Sequence, residues 1–286
     1  MAQTVTPIAS PEEVQKYRQK SGVVLIDARG GPDAYDRFRK GHVEDAVFLD
    51  LETQLSEKTP DPAHGGRHPL PDPRIFGILM GRIGIRPSDH VLVYDDKSGA
   101  NSAARFWWMM RAAGHAGIQV IDGGYDALVA AGAPITTGET NPLPPQPPYP
   151  VTEWKLPTVD LDTVDKVRAD KDYLVIDVRE NFRYRGESEP IDLVAGHIPG
   201  AVNAPYLDNL QANGRFRSPA VLAKQYHLLV GSRSGEKLIV HCGSGVTACH
   251  TLLALEVAGI QGAKLYAGSW SEWSRRGKPI EKGPNP

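Results

Sequence analysis

The sequence predicts an α/β protein of two tandem domains with one design, each a mainly parallel sheet flanked by helices on both faces. Three observations predict it. Four short patterns recur in the same order in the two halves of the 286-residue chain. Each half alternates short β-branched runs with helical segments. A proline-dense stretch lies between the halves.

The repeat comes first. Val23-Val24-Leu25-Ile26-Asp27-Ala28-Arg29 returns as Tyr173-Leu174-Val175-Ile176-Asp177-Val178-Arg179. Gly41-His42-Val43-Glu44-Asp45-Ala46-Val47 returns as Gly196-His197-Ile198-Pro199-Gly200-Ala201-Val202. Val91-Leu92-Val93-Tyr94-Asp95 returns as Leu238-Ile239-Val240-His241-Cys242. Asp122-Gly123-Gly124-Tyr125, followed by Ala133-Pro134-Ile135, returns as Ala267-Gly268-Ser269-Trp270, followed by Lys278-Pro279-Ile280. Chance supplies one such match between apolar strands; the ordered set makes a tandem duplication.

In the second half, residues 174–177, 201–203, 238–241 and 264–266 read as buried strands. Residues 219–229 and 246–258 read as helices, the second followed by Gly259 as a stop signal. Such alternation implies a mainly parallel sheet with helices on its faces. Residues 136–157 carry Pro142, Pro144, Pro145, Pro147, Pro148, Pro150 and Pro157. Proline fixes φ and lacks a donor, so this density favours an extended connector. The expected organisation is a domain over 1–140, a linker over 141–157 and a second domain over 158–286.

Composition narrows the function classes. An apolar fraction of 41% and a charged fraction of 23% are those of a globular chain. A net charge of −2 gives no global reason to expect nucleic acid or an anionic membrane as partner. The start, Met1-Ala2-Gln3-Thr4-Val5-Thr6-Pro7, has neither the basic nor the apolar region of a secretory signal, and no apolar run is long enough to span a bilayer. The two cysteines, Cys242 and Cys249, lie on one short segment and form neither a disulfide framework nor a metal cluster. The expectation is a reduced, cytoplasmic protein with one reactive thiol and no metal or organic cofactor.

The chemistry concentrates in His241-Cys242-Gly243-Ser244-Gly245-Val246-Thr247-Ala248. A buried strand ends at Cys242 and a helix begins a few residues later. Two glycines let the backbone turn so that several N–H groups aim at one spot, an anion-binding nest backed by the positive end of the helix. Such a cradle favours a thiolate, the nucleophilic form of cysteine, and for the same reason a persulfide. Gly243, Gly245, Val246 and Thr247 are therefore candidates for holding the sulfur and its donor. In the first half Asp95 takes the place of Cys242. A carboxylate cannot attack and carry sulfur, so that half is expected to be catalytically silent. Cys249 falls inside the helix and reads as packed core.

The repeat, the Asp-x-Arg strand ends, the Gly-His-Ile-Pro-Gly-Ala segment and Gly268-Ser269-Trp270-Ser271-Glu272-Trp273 resemble the rhodanese superfamily over essentially the whole chain. The loop Cys242-Gly243-Ser244-Gly245-Val246-Thr247 resembles that of the 3-mercaptopyruvate sulfurtransferases; thiosulfate-preferring relatives typically carry basic side chains there. The resemblance implies a transferase that takes sulfur from 3-mercaptopyruvate, releases pyruvate and holds a Cys242 persulfide. An acceptor then removes the sulfur: a small thiol, cyanide or a dithiol protein. It implies further that Glu52, His68 and Ser244 form a proton relay. Two arginines of that family bind the donor's carboxylate. Arg183 matches the first, an arginine suiting a planar carboxylate through its forked donors. At the second position this chain has Ile191, with Arg185 as a further candidate. Arg29, Arg179, His42 and His197 read as structural.

Three alternatives differ in chemistry. Phosphatase-type chemistry needs an arginine separated from the nucleophilic cysteine by five residues, where this chain has Ala248. Thiosulfate as donor fits the missing second arginine and conflicts with the uncharged loop. A sulfur-carrier or interaction module would bind sulfur without turnover.

Overall fold

A computed structural model describes residues 5–17 and 20–284. The first four residues, part of the stretch read as lacking a secretory signal, lie outside the described residues. The chain divides into two compact units, one of Met1–Glu57, Pro71–Lys155 and Ala212–Phe216, the other of Lys58–Leu70, Leu156–Gln211 and Arg217–Pro286. Among the described residues no helix is long and apolar enough to cross a membrane.

The first unit runs β1 (Ile8–Ala9), α1 (Pro11–Tyr17), β2 (Val23–Arg29), α2 (Ala34–Lys40), β3 (His42–Val43) and β4 (Val47–Asp50). It continues with α3 (Pro73–Arg82), β5 (His90–Tyr94), α4 (Ser102–Ala112), β6 (Ile118–Ile121), α5 (Gly124–Ala130) and β7 (Ile135–Thr136). Five strands pair in parallel in the order β1-β6-β5-β2-β4, and β3 pairs antiparallel with β7. Helix α4 lies on β2, β5 and β6 and is apolar nearly all round, with Phe106, Trp107, Trp108, Met109 and Met110 buried, as a helix enclosed by its neighbours must be. Helix α3 starts sharply: Asp72 accepts the N–H groups of Arg74 and Ile75, and Pro73 fills a first-turn position where no donor is needed. The proline-rich stretch runs extended along α3, where Tyr149 N–H donates to Gly77 O and Gln146 N–H to Gly81 O, both at 2.8 Å. A Cβ at Gly77 or Gly81 would meet a carbonyl oxygen of that stretch at 2.6 Å, so only glycine admits so close an approach.

The second unit runs α6 (Leu161–Val167), β8 (Leu174–Asp177), α7 (Asn181–Tyr184), β9 (Val202–Asn203), α8 (Pro219–Val230), β10 (Leu238–His241), α9 (Thr247–Val257), β11 (Lys264–Leu265) and α10 (Ser269–Trp273). Its four strands are all parallel, in the order β11-β10-β8-β9. Leu161, Val164, Val175, Ile198, Ile239, Tyr266, Trp270 and Trp273 form its core. β10 sits inside the sheet, so the loop that follows it opens at the carboxyl end of a central strand, the place where parallel sheets present ligand sites.

The duplication is visible in side-chain detail within each unit. Arg29 binds Asp27 and donates to Gly41 O at 2.8 Å; Arg179 binds Asp177 and donates to Gly196 O at 2.7 Å. The next residue is a buried histidine each time. His42 Nδ1 donates to Phe38 O and its ring stacks on Phe38; His197 Nδ1 donates to Tyr184 O and stacks on Tyr184. These four residues are structural ties within their own repeats.

Candidate active site

Cys242 follows β10 directly and is 2% exposed. The chain turns through residues 243–246 and enters α9 at Thr247. Gly245, at φ +75°, aims its N–H at the Cys242 sulfur, 3.1 Å away. Short α10 fastens the other side of the turn: Trp270 N–H donates to Cys242 O, Ser271 N–H to Gly243 O, and Ser269 Oγ accepts from Cys242 N–H. Gly243, Ser244, Gly245 and Val246 are buried and Thr247 half-buried. Cys249 is fully buried in α9, with its thiol donating to Gly245 O at 3.3 Å.

The equivalent loop of the first unit shows what its backbone is shaped for. The Asp95 carboxylate accepts the N–H groups of Lys97, Gly99, Asn101 and Ala103 at 2.8, 2.7, 2.9 and 3.1 Å. The loop after the central strand of the first unit thus turns four N–H groups onto one carboxyl group, which they favour as an anion while burial, the larger effect, pushes its pKa up.

Residues 58–70 belong to the second compact unit, although the sequence places them in the first half. Gly65 N–H donates to Glu272, and Arg67 N–H to Ser271 Oγ, each at 3.0 Å. This fixes His68, whose Nδ1 lies 2.7 Å from Ser244 Oγ. Glu52 belongs to the first unit, where its carboxylate accepts from Gly31 N–H at 3.3 Å. Its place in a relay is what the resemblance implies.

Arg183, on α7, is 6% exposed. Burial works against its charge, but hydrogen bonds from Nε to Glu189 at 3.0 and 3.1 Å hold it protonated more firmly than an ordinary arginine. Burial likewise pushes Glu189 up, and Arg183 outweighs it, so the carboxyl titrates below its usual range. Arg183 also reaches Asp192, whose buried carboxylate accepts from Arg67 at 3.1 Å and from Arg275 at 3.2 Å. Arg185 behaves otherwise: its half-exposed side chain pairs loosely with Glu187, at 4.0 Å. Ile191 is 54% exposed.

The second unit therefore gathers Cys242, Ser244, Gly243, Gly245, His68 and Arg183. Sequence reasoning missed Arg67, Asp192 and Arg275. The one local signal was the glycine pair Gly65-Gly66 ahead of Arg67-His68, which presses this segment against α10.

The family description rhodanese-like domain matches residues 10–131 and 160–276. The chain is 41% identical over 241 residues to a probable 3-mercaptopyruvate sulfurtransferase of Pseudomonas aeruginosa, covering 82% of each protein. It is 39% identical over 259 residues to a putative thiosulfate sulfurtransferase of Mycobacterium tuberculosis, covering 88% of each. Among solved structures it is similar to the 3-mercaptopyruvate sulfurtransferase of Escherichia coli, at 29% identity and a TM-score of 0.78, covering 94% of this chain and 100% of that one.

Proposed function

Because the chain belongs to the rhodanese-like family and is a sulfurtransferase, we propose that it moves sulfur from 3-mercaptopyruvate to a thiol or cyanide through a persulfide on Cys242. The observation that carries this reading is the Cys242 sulfur held by the Gly245 N–H at 3.1 Å in an anion cradle, beside a serine–histidine pair. The cradle stabilises the thiolate before the reaction and the persulfide after it.

The Cys242 thiolate attacks the donor's sulfur. The donor's carbon–sulfur bond breaks, and its electron pair leaves with pyruvate enolate. The donor's thiol proton passes through Ser244 and His68 to the enolate carbon, giving pyruvate and a persulfide anion. An acceptor thiolate, cyanide or the dithiol of a reducing protein then takes the outer sulfur. Arg183 orients the donor by its carboxylate. The thiol must stay reduced between turnovers, which suits a cytoplasmic setting.

The name of the Mycobacterium tuberculosis relative and the isoleucine at position 191 favour a second reading, with thiosulfate as donor. A side-by-side measurement of kcat/KM with the two donors decides between them. The proposal expects mercaptopyruvate to be the better donor, and a higher value for thiosulfate overturns the choice of donor while leaving the nucleophile in place.

A further inference from the structure

Ile191 leaves the second arginine position without a charge, yet a second guanidinium reaches the cysteine loop from another segment. A Cβ placed on Gly243 would lie 3.1 Å from Arg67 Nη2, 3.3 Å from Arg183 Nη2 and 3.7 Å from Asp192 Oδ2. The two Nη2 groups thus converge on one point above the peptide that follows Cys242. We propose that Arg67 is the second carboxylate-binding residue of this site, acting with Arg183 on a small donor that carries a carboxylate. The inference rests on the reading of the donor as an α-keto acid.

The hydrogen-bond inventory supports it. Arg183 spends its Nε on Glu189, turns Nη1 toward Glu180 and divides Nη2 between Glu189 at 2.8 Å and Asp192 at 3.4 Å. Among the described residues, the side chain of Arg67 donates only to Asp192, through Nε at 3.1 Å and Nη2 at 3.4 Å. A guanidinium has five N–H donors in a fixed plane, so Arg67 keeps donors in reserve for a ligand. Its side chain is 26% exposed, open enough to meet a substrate. Nor is it needed to fasten its own segment, since the Arg67 backbone N–H already binds Ser271 Oγ. Asp192 sets the aim: its buried carboxylate aligns Arg67 and Arg183, and Arg275 steadies it from the α10 side, its Nη1 also donating to Ser271 O.

The test reads carboxylate recognition without relying on turnover. Cys242 is alkylated by iodoacetate, which carries a carboxylate, and by iodoacetamide, which does not, and the ratio of the two rates is compared across variants. In folded Arg67→Ala the ratio is expected to fall about tenfold, the lower end for a hydrogen bond to a charged group because the arginine is part-exposed. Arg67→Lys should keep part of the ratio. Arg67→Gln, which retains a donor for Asp192, should lose it and replaces Arg67→Ala if that variant fails to fold. The kcat/KM for mercaptopyruvate should fall by a similar factor. An unchanged ratio, or an equal slowing with both reagents, overturns the role of Arg67. If wild type does not turn over mercaptopyruvate, the donor reading fails alone and the alkylation ratio still decides on Arg67.

Discussion

Replacing Gly245 by alanine strikes the cradle itself. The residue sits at φ +75°, and an added Cβ would lie 2.5 Å from Ala267 O and 2.9 Å from Ala267 Cα. The left-handed conformation alone costs an L-residue roughly 1–2 kcal/mol, and the backbone oxygen leaves no room for the methyl group. Relief comes by rotating the neighbouring peptides, which draws the Gly245 N–H off the sulfur it now meets at 3.1 Å. A hydrogen bond to a charged group contributes about 1.5–3 kcal/mol, which is roughly one to two orders of magnitude in rate. Gly243 is the control. It lies outside the left-handed region, and the atoms nearest its added Cβ are side-chain ends, Arg67 Nη2, Arg183 Nη2 and Asp192 Oδ2, with no backbone atom nearer than these. The assay is the rate of Cys242 alkylation by iodoacetamide in folded protein, followed by persulfide formation with the donor. Gly245→Ala should lose about 10- to 100-fold in both, while Gly243→Ala should stay near wild type toward the neutral reagent. Wild-type rates in folded Gly245→Ala would refute the cradle as the source of reactivity.

Two further outcomes follow from the same geometry. Arg183→Ala should lower kcat/KM for mercaptopyruvate by roughly one to two orders of magnitude, whereas Arg185→Ala, at a half-exposed position paired loosely with Glu187, should change it little; equal losses in a kinetic series on melt-checked protein would contradict the assignment. His250 is fully buried in α9, and burial pushes its imidazole down from 6.5 to about 3. The unfolded chain takes up that proton below about pH 6.5 while the folded chain does not, so stability is lost as pH falls through the window between these values. At about 1.4 kcal/mol per pH unit this group should remove about 2 kcal/mol between pH 7 and pH 5. Denaturant midpoints at the two pH values should show a shallower loss in His250→Leu, and an identical loss would remove His250 from the account.

Local patterning made the sheet legible because each strand of the second unit is short, apolar and bounded by turn residues. Leu174–Asp177 and Leu238–His241 stand where their runs of branched residues place them, and α9 begins one residue after the expected start and ends one before the expected end. Cys242 was legible for the same reason, since a strand end, two glycines and a helix start are neighbours in sequence. What escaped notice depends on contacts between distant segments. Arg67, Asp192 and Arg275 come from three stretches of chain, and each alone reads as a surface charge; only folding makes one carboxylate the common partner of three guanidinium groups. Asp95 was visible as the residue standing in the place of Cys242. That it fills the cradle with four N–H contacts was not, because loop conformation is set by the close packing around it.

The central claim is that sulfur rests covalently on Cys242 between donor and acceptor. Intact-mass and peptide mass spectrometry after donor treatment, with excess donor removed, tests it most directly. Wild type and Cys249→Ser should each gain one sulfur atom, located on the peptide containing residue 242 and lost again on adding cyanide or a thiol, while Cys242→Ser should gain none. Sulfur carried by Cys249, or retained in Cys242→Ser, would contradict the account.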